Sequence, residues 1–132
     1  MPTPTPEETA VEQANAAFYR AFEKKDLTAL TDICSQSIDS LCIHPGRTAL
    51  KGWPAISASW QKIFQATQYL EIDTDIQSIQ VTGDLAYVVL IENVRQVSGR
   101  RQAKARSMAT NIFERMGGHW YLVHHHGSPL AQ

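Results

Sequence analysis

The stretch Thr110 to Pro129, TNIFERMGGHWYLVHHHGSP, limits the fold more than any other part of the chain. Two runs rich in Ile, Phe, Trp, Tyr and Val flank Gly117-Gly118, and a two-residue Gly-Gly loop between such runs signals a tight β-hairpin. That turn sets a register in which Met116 faces His119, Arg115 faces Trp120, Phe113 faces Leu122, Asn111 faces His124 and Ala109 faces His126. Opposed residues share a face. One face is therefore expected to carry Asn111, Phe113, Trp120, Leu122, His124 and His126. The other is expected to carry Thr110, Ile112, Glu114, Tyr121, Val123 and His125. Hydrogen-bonding groups at one end of an apolar face suit the inner wall of a ligand cavity, which must both desolvate and orient its occupant.

The chain ahead of this hairpin supplies helices and then more strands. Residues 1–6 alternate Pro and Thr and read as a disordered or extended lead-in. Val11, Ala14, Phe18, Ala21 and Phe22 then recur at helical spacing, predicting a helix from about Pro6 to Lys24 with one apolar stripe. Asp26 is placed to cap a shorter helix whose buried side is Leu27, Leu30, Ile33 and Cys34. Ser40 to His44 reads as a short strand stopped by Pro45-Gly46, and Gly52 to Thr67 as a third helix with Pro54 in its first turn. Turn signals at Gly83-Asp84, Ser98-Gly99 and Gly117-Gly118 separate four long strands starting at Tyr69. Helices confined to the first half must cover one face of such a sheet, giving an α+β architecture in one domain over residues 7–132. Apolar side chains on both sheet faces, among them Val88, Leu90, Met108, Ile112 and Val123, make a homodimer through the sheet the economical way to cover the second face.

Composition excludes several classes of partner. A formal net charge of −1, from 12 basic and 13 acidic residues, gives no reason to expect a nucleic acid. The densest basic run, Arg95, Arg100, Arg101, Lys104 and Arg106, has no interleaved aromatic residue and reads as a solvated hairpin tip. Cys34 and Cys42 lack a CxxC spacing and are expected as reduced thiols. No stretch approaches the roughly 18 apolar residues of a membrane span, and no basic-then-apolar leader opens the chain. The expected location is the cytoplasm, with no membrane partner.

The element order, with the motifs GWPAI (Gly52 to Ile56), GDLAY (Gly83 to Tyr87), TNIFER (Thr110 to Arg115) and WYLVHHHGSP, resembles the NTF2-like superfamily. Within it, the chain is most similar to the SnoaL-like or ketosteroid-isomerase-like branch of small bacterial proteins. The resemblance implies a cone of strongly curved sheet around a long helix, a pocket between helices and sheet, and a dimer through the convex face. In ketosteroid isomerases a general-base Asp precedes a Pro at the end of the short strand; the matching dipeptide here is His44-Pro45. The oxyanion-binding Tyr of the first helix falls on Phe18, so the isomerase pair is absent and steroid isomerisation is disfavoured. Tyr19 is adjacent but lies about 100° around the helix. The last hairpin is also similar to the association domain of calcium/calmodulin-dependent protein kinase II. That domain's pocket arginines fall near Val89, Asn111 and Gly127, all non-basic, which speaks against a carboxylate pocket of that type and against the large ring.

The candidate chemistry centres on the imidazoles. His44 can act as a general base if a half-buried position keeps it unprotonated; as a structural residue it would cap the strand end by bonding to backbone. His124 and Asn111, with His126, can polarise a ligand carbonyl, or can be buried groups that fix the hairpin and the dimer. His124 and His126 would lie about 7 Å apart as an H-x-H pair, but no third ligand stands beside them, so no metal is expected. Glu92 is open between a pocket acid with a raised pKa and a solvent-facing edge residue, because the register across Ser98-Gly99 is ambiguous by one residue. Phe18, Tyr19, Trp60, Phe113, Leu122 and His126 are the expected pocket lining. No nucleophile motif, phosphate loop or cofactor fingerprint occurs, so no cofactor is expected. The resulting expectation is a mostly apolar pocket for a small organic molecule, with cofactor-free isomerisation, cyclisation or dehydration run by His44, Asn111 and His124. The alternative is a non-catalytic binding or dimerisation module with structural histidines.

Overall fold

A computed structural model of the chain describes residues 3–131. Helix α1 (Pro6–Glu23) starts where Thr5 accepts from the Glu8 backbone N–H while the Glu8 side chain accepts from the Thr5 N–H, a reciprocal capping box with Pro6 at the first helical position. Thr5 and Pro6 thus belong to the helix start rather than to the expected lead-in; Met1 and Pro2 of that lead-in lie outside the described residues. Helix α2 (Leu27–Ile33) is capped by Asp26, whose side chain accepts from the Ala29 N–H at 3.0 Å. Helix α3 (Trp53–Ala66) opens after Gly52, which holds φ of 86°, a left-handed value suited to glycine.

Strands β1 (Leu41–Ile43), β2 (Leu50–Lys51), β3 (Tyr69–Thr82), β4 (Leu85–Ser98), β5 (Arg101–Met116) and β6 (His119–Pro129) form one sheet in the order β2-β1-β6-β5-β4-β3. β1 runs parallel to β6 and every other neighbouring pair is antiparallel. The strand β2, two residues long, is too short to leave a pattern in the sequence. The sheet curves around the helices without closing, and α1 packs against β3, β4 and β6. Val11, Phe18, Trp60, Leu30, Val88, Leu90 and Phe113 fill the space between helices and sheet. Among the described residues no helix is long and apolar enough to cross a membrane.

The final hairpin follows the expected register only part of the way. Met116 pairs with His119, Arg115 with Trp120 and Phe113 with Leu122, but the ladder then shifts: Ile112 pairs with His124, Asn111 with His125 and Ala109 with Gly127. Val123 is the extra residue of a β-bulge, and one inserted residue exchanges the two faces of everything beyond it. His125 therefore joins Asn111 and Phe113 on the inner face. His124 and His126, expected there, lie on the outer face with Ile112 and Thr110.

Candidate functional site

Two clusters of polar side chains flank Trp60, one buried and one open. The buried cluster begins on α1, where Asn15, Phe18 and Tyr19 all turn inward. A curved sheet embraces more of a helix than a flat one does, so the roughly 100° between Phe18 and Tyr19 still leaves both covered. From β4, Glu92 is 3% exposed, on the same side as Ala86, Val88 and Leu90, which resolves its orientation toward the interior. From β5 and β6 come Asn111 and His125.

The hydrogen bonds of this cluster have one consistent direction. Asn111 Nδ2 donates to Asn15 Oδ1 at 2.9 Å and to Tyr19 Oη at 3.1 Å, and Tyr19 Oη donates to Glu92 Oε2 at 2.6 Å. With both amide hydrogens used, Asn111 Oδ1 is the acceptor, so the proton on His125 sits on Nδ1, 2.5 Å away. His125 Nε2 is then a bare lone pair, 3.9 Å from Glu92 Oε2. This is not an ion pair, because burial, with nearby His44 and His124, pushes the His125 pKa down to about 3. Burial also raises the Glu92 carboxyl above the usual range, against the Tyr19 hydrogen bond that lowers it. Burial first, and the facing Glu92 second, hold the Tyr19 phenol well above its ordinary value. Asn15, Tyr19, Glu92, Asn111 and His125 are each held by at least one hydrogen bond inside the cluster. Asn111, expected as a free donor to a ligand, is fully committed to this network.

The expected pocket lining is mostly core. Phe18 and Phe113 are fully buried and Trp60 is 1% exposed, and the aromatic rings Phe18, Phe22, Trp60 and Phe64 stack edge-on or tilted in series. Beside Leu122, Trp60 and His125 only a cavity of about 10 Å³ is left, room for about one water and no organic ligand. Cys34 and Cys42 border it as free, buried thiols whose pKa burial pushes up to about 12.

Open space lies outside Trp60. The sequence His44-Pro45-Gly46-Arg47 forms a turn in which the His44 carbonyl accepts from the Arg47 N–H at 3.0 Å and Gly46 takes φ of 75°, the pattern of a type II β-turn. On α3, Ser59, Lys62, Ile63 and Ala66 fall at helical spacing on one side. Turn and helix face each other across a cleft of about 660 Å³, within the range of small-molecule sites. His44 is half-buried at its edge, its ring edge-on to Trp60 at 4.9 Å and Nε2 2.9 Å from Ser59 Oγ. Burial, then the Arg47 charge, lowers the His44 pKa, so the imidazole is neutral at neutral pH. An imidazole and a hydroxyl at this distance can exchange a proton. Gly127 separates the two clusters: a Cβ there would lie 3.1 Å from Pro45 Cγ and 3.7 Å from Glu92 Oε1. Of the three residues expected to act together, His44 borders the cleft, Asn111 is in the core and His124 is on the outer face. Sequence reasoning missed Ser59, Arg47, Lys62, Asn15 and His125; Asn15 carried a signal, being a polar residue in the stripe Val11, Asn15, Phe18, Phe22.

Residues 11–132 match the SnoaL-like domain family. A candidate dehydratase of the NTF2-like family from Streptomyces avermitilis is 28% identical, with a TM-score of 0.90 over 98% of this chain and 100% of that one. A candidate calcium/calmodulin-dependent protein kinase type II association domain from Thiobacillus denitrificans is 28% identical, with a TM-score of 0.82 over 99% and 100%. The F-box protein SKIP8 of Arabidopsis thaliana is 25% identical over 121 residues, 92% of this chain, which spans 50% of that protein's length. With one family matched across nearly all of the sequence and the NTF2-like cone present in the fold, the chain belongs to the SnoaL-like domain family.

Proposed function

We propose that this chain binds a small organic molecule in the cleft between the His44–Arg47 turn and α3, and that His44 acts there as a general base. One observation carries the reading: a neutral imidazole, half-buried at the mouth of a cleft, bonded to a hydroxyl and, among the described residues, without a carboxylate partner. The reaction is proton transfer next to a carbonyl. His44 removes a proton from the carbon beside the carbonyl, and the electron pair left behind delocalises onto the carbonyl oxygen. Return of the proton to another carbon isomerises the substrate; alternatively the electron pair forms a carbon–carbon double bond as the hydroxyl on the next carbon leaves, taking the proton from His44 to depart as water. The likeness to a candidate NTF2-like dehydratase is in keeping with the second outcome. Asn111 and His124 have no part in this scheme, since neither borders the cleft. Ser59 is the hydroxyl within reach of the base.

Small ketones and 3-hydroxy acids incubated in D₂O test this by NMR. Wild type is expected to exchange the hydrogen beside the carbonyl faster than buffer, and His44→Gln to return the rate to that of buffer. The rate should rise with pH through the depressed His44 pKa and then level off. No acceleration with any probe, together with His44 titrating as a solvent-exposed imidazole, would leave the second reading. That reading, a non-catalytic binding or dimerisation module, draws on the buried network, in which Asn15, Tyr19, Glu92, Asn111 and His125 bond to one another rather than to a ligand. Both readings are compatible with a homodimer through the outer sheet face, a cytoplasmic location and a single domain over residues 7–132.

A further inference from the structure

We infer that the ligand of this cleft is a small organic anion with an apolar body, its anionic group held by Arg47 and Lys62. The inference rests on the ligand-binding reading above and names the class of ligand. Two cationic side chains enter the cleft from opposite walls, Arg47 from the turn after β1 and Lys62 from α3. Among the described residues neither makes an ion pair, whereas Lys51, Arg95 and Arg115 each reach an acidic partner. Among the described residues no Asp or Glu lines the cleft.

Charge alone would not choose an organic anion over an inorganic one; the rest of the lining does. Leu50, Ile63 and Ala66 supply apolar surface in the same cleft. An alkyl or aryl group gains by leaving water against such a wall, while a free phosphate does not. The placement of Arg47 is also built in. Gly46 takes a left-handed φ of 75°, and the His44 carbonyl bond to the Arg47 N–H ties the base and the cation into one turn. An anion on Arg47 therefore lies beside the His44 ring, and the atoms next to its charged group come within reach of the imidazole. Guanidinium matches a planar carboxylate through two parallel N–H bonds, which makes a carboxylate the favoured group.

Hexanoate, hexanamide and inorganic phosphate serve as probes, followed by titration calorimetry and by the His44 ring signals in proton–nitrogen NMR. Hexanoate is expected to bind wild type and to shift the His44 signals, with hexanamide weaker by about tenfold or more, as for the loss of a charge-assisted hydrogen bond. Arg47→Gln/Lys62→Gln should remove that preference, leaving hexanoate and hexanamide equal. The inference is overturned if hexanamide binds wild type as well as hexanoate, if the double variant keeps the preference, or if phosphate binds as tightly as hexanoate. His44→Gln separates this from the catalytic reading. Hexanoate binding retained in His44→Gln, with no proton exchange in wild type, overturns the base and keeps the anion site. Exchange in wild type without a preference for hexanoate does the reverse.

Discussion

Glu92 and His125 show how burial sets opposite pH dependences a few ångströms apart. His125 has a folded pKa of about 3 against an ordinary value of 6.5, so the fold excludes its proton. Its contribution to stability is complete above the unfolded value and is lost as pH falls toward the folded one. A shift of about 3.5 units, at about 1.4 kcal/mol each, sets an upper bound of about 5 kcal/mol. Glu92 has a raised pKa, so its contribution is complete below the ordinary carboxylate range and is lost as pH rises through the folded value. On acidification it therefore opposes His125. Urea unfolding at pH 7 and pH 4 should show Glu92→Gln losing more stability on acidification than wild type, and His125→Gln losing less. Equal slopes in all three proteins would mean that neither group titrates across that range in the fold. Glu92 and Asn15 each stand as a polar residue in an apolar series, but the sequence left the orientation of Glu92 open and Asn15 went unread. Their partners were not legible, since a hydrogen bond across 73 residues, such as Tyr19 to Glu92, leaves no local trace.

At the scale of elements, boundaries were easier to read than faces. Glycine turns with positive φ at Gly83, Gly99 and Gly117 delimit the long strands, and the apolar periods of α1 and α3 end where their caps fall. The bulge at Val123 had no such signal. Any residue can be the extra one, yet it decided which of three adjacent histidines faces inward. The same strand carries a testable contact at Gly127, opposite Ala109. Its φ is not in the left-handed region, so a substitution there is opposed by crowding alone, chiefly against the Pro45 ring 3.1 Å from the new Cβ, with Glu92 Oε1 at ordinary contact distance. Gly127→Ala should push the β1–β2 turn outward and cost about 1–3 kcal/mol, as overpacking does. Because Pro45 follows His44, the His44 ring signals should move in the same variant. A loss of stability with unmoved His44 signals would mean that the turn, and with it the base, is positioned by α3 rather than by β6.

For the whole molecule, the sheet has one face filled by helices and an outer face whose β4–β5 centre is apolar. Leu85, Tyr87, Val89 and Ile91 alternate with the buried residues of β4, and Tyr87 pairs with Ile112 and Ile91 with Met108 across the ladder. Leu85 and Tyr87 are 51% and 43% exposed, so this surface is open in the single chain. An apolar patch of this kind, rimmed by the polar residues of β3, marks an interaction surface, and two copies related by a twofold axis would cover it self-complementarily. His124 and His126, set on this face by the bulge with ring centroids 6.2 Å apart, border the patch beside Ile112 and Thr110. Wild type is expected to sediment as a dimer. Ile112→Lys puts one cation per chain into the patch, two per interface, and should give a monomer with an unchanged circular dichroism spectrum; Tyr87→Lys tests the same patch from β4. Hexanoate binding should survive in both variants, because the cleft lies across the sheet. Dimers that persist in both variants would place the contact elsewhere. A monomeric wild type would leave the sheet uncovered and sink the twofold reading of this face.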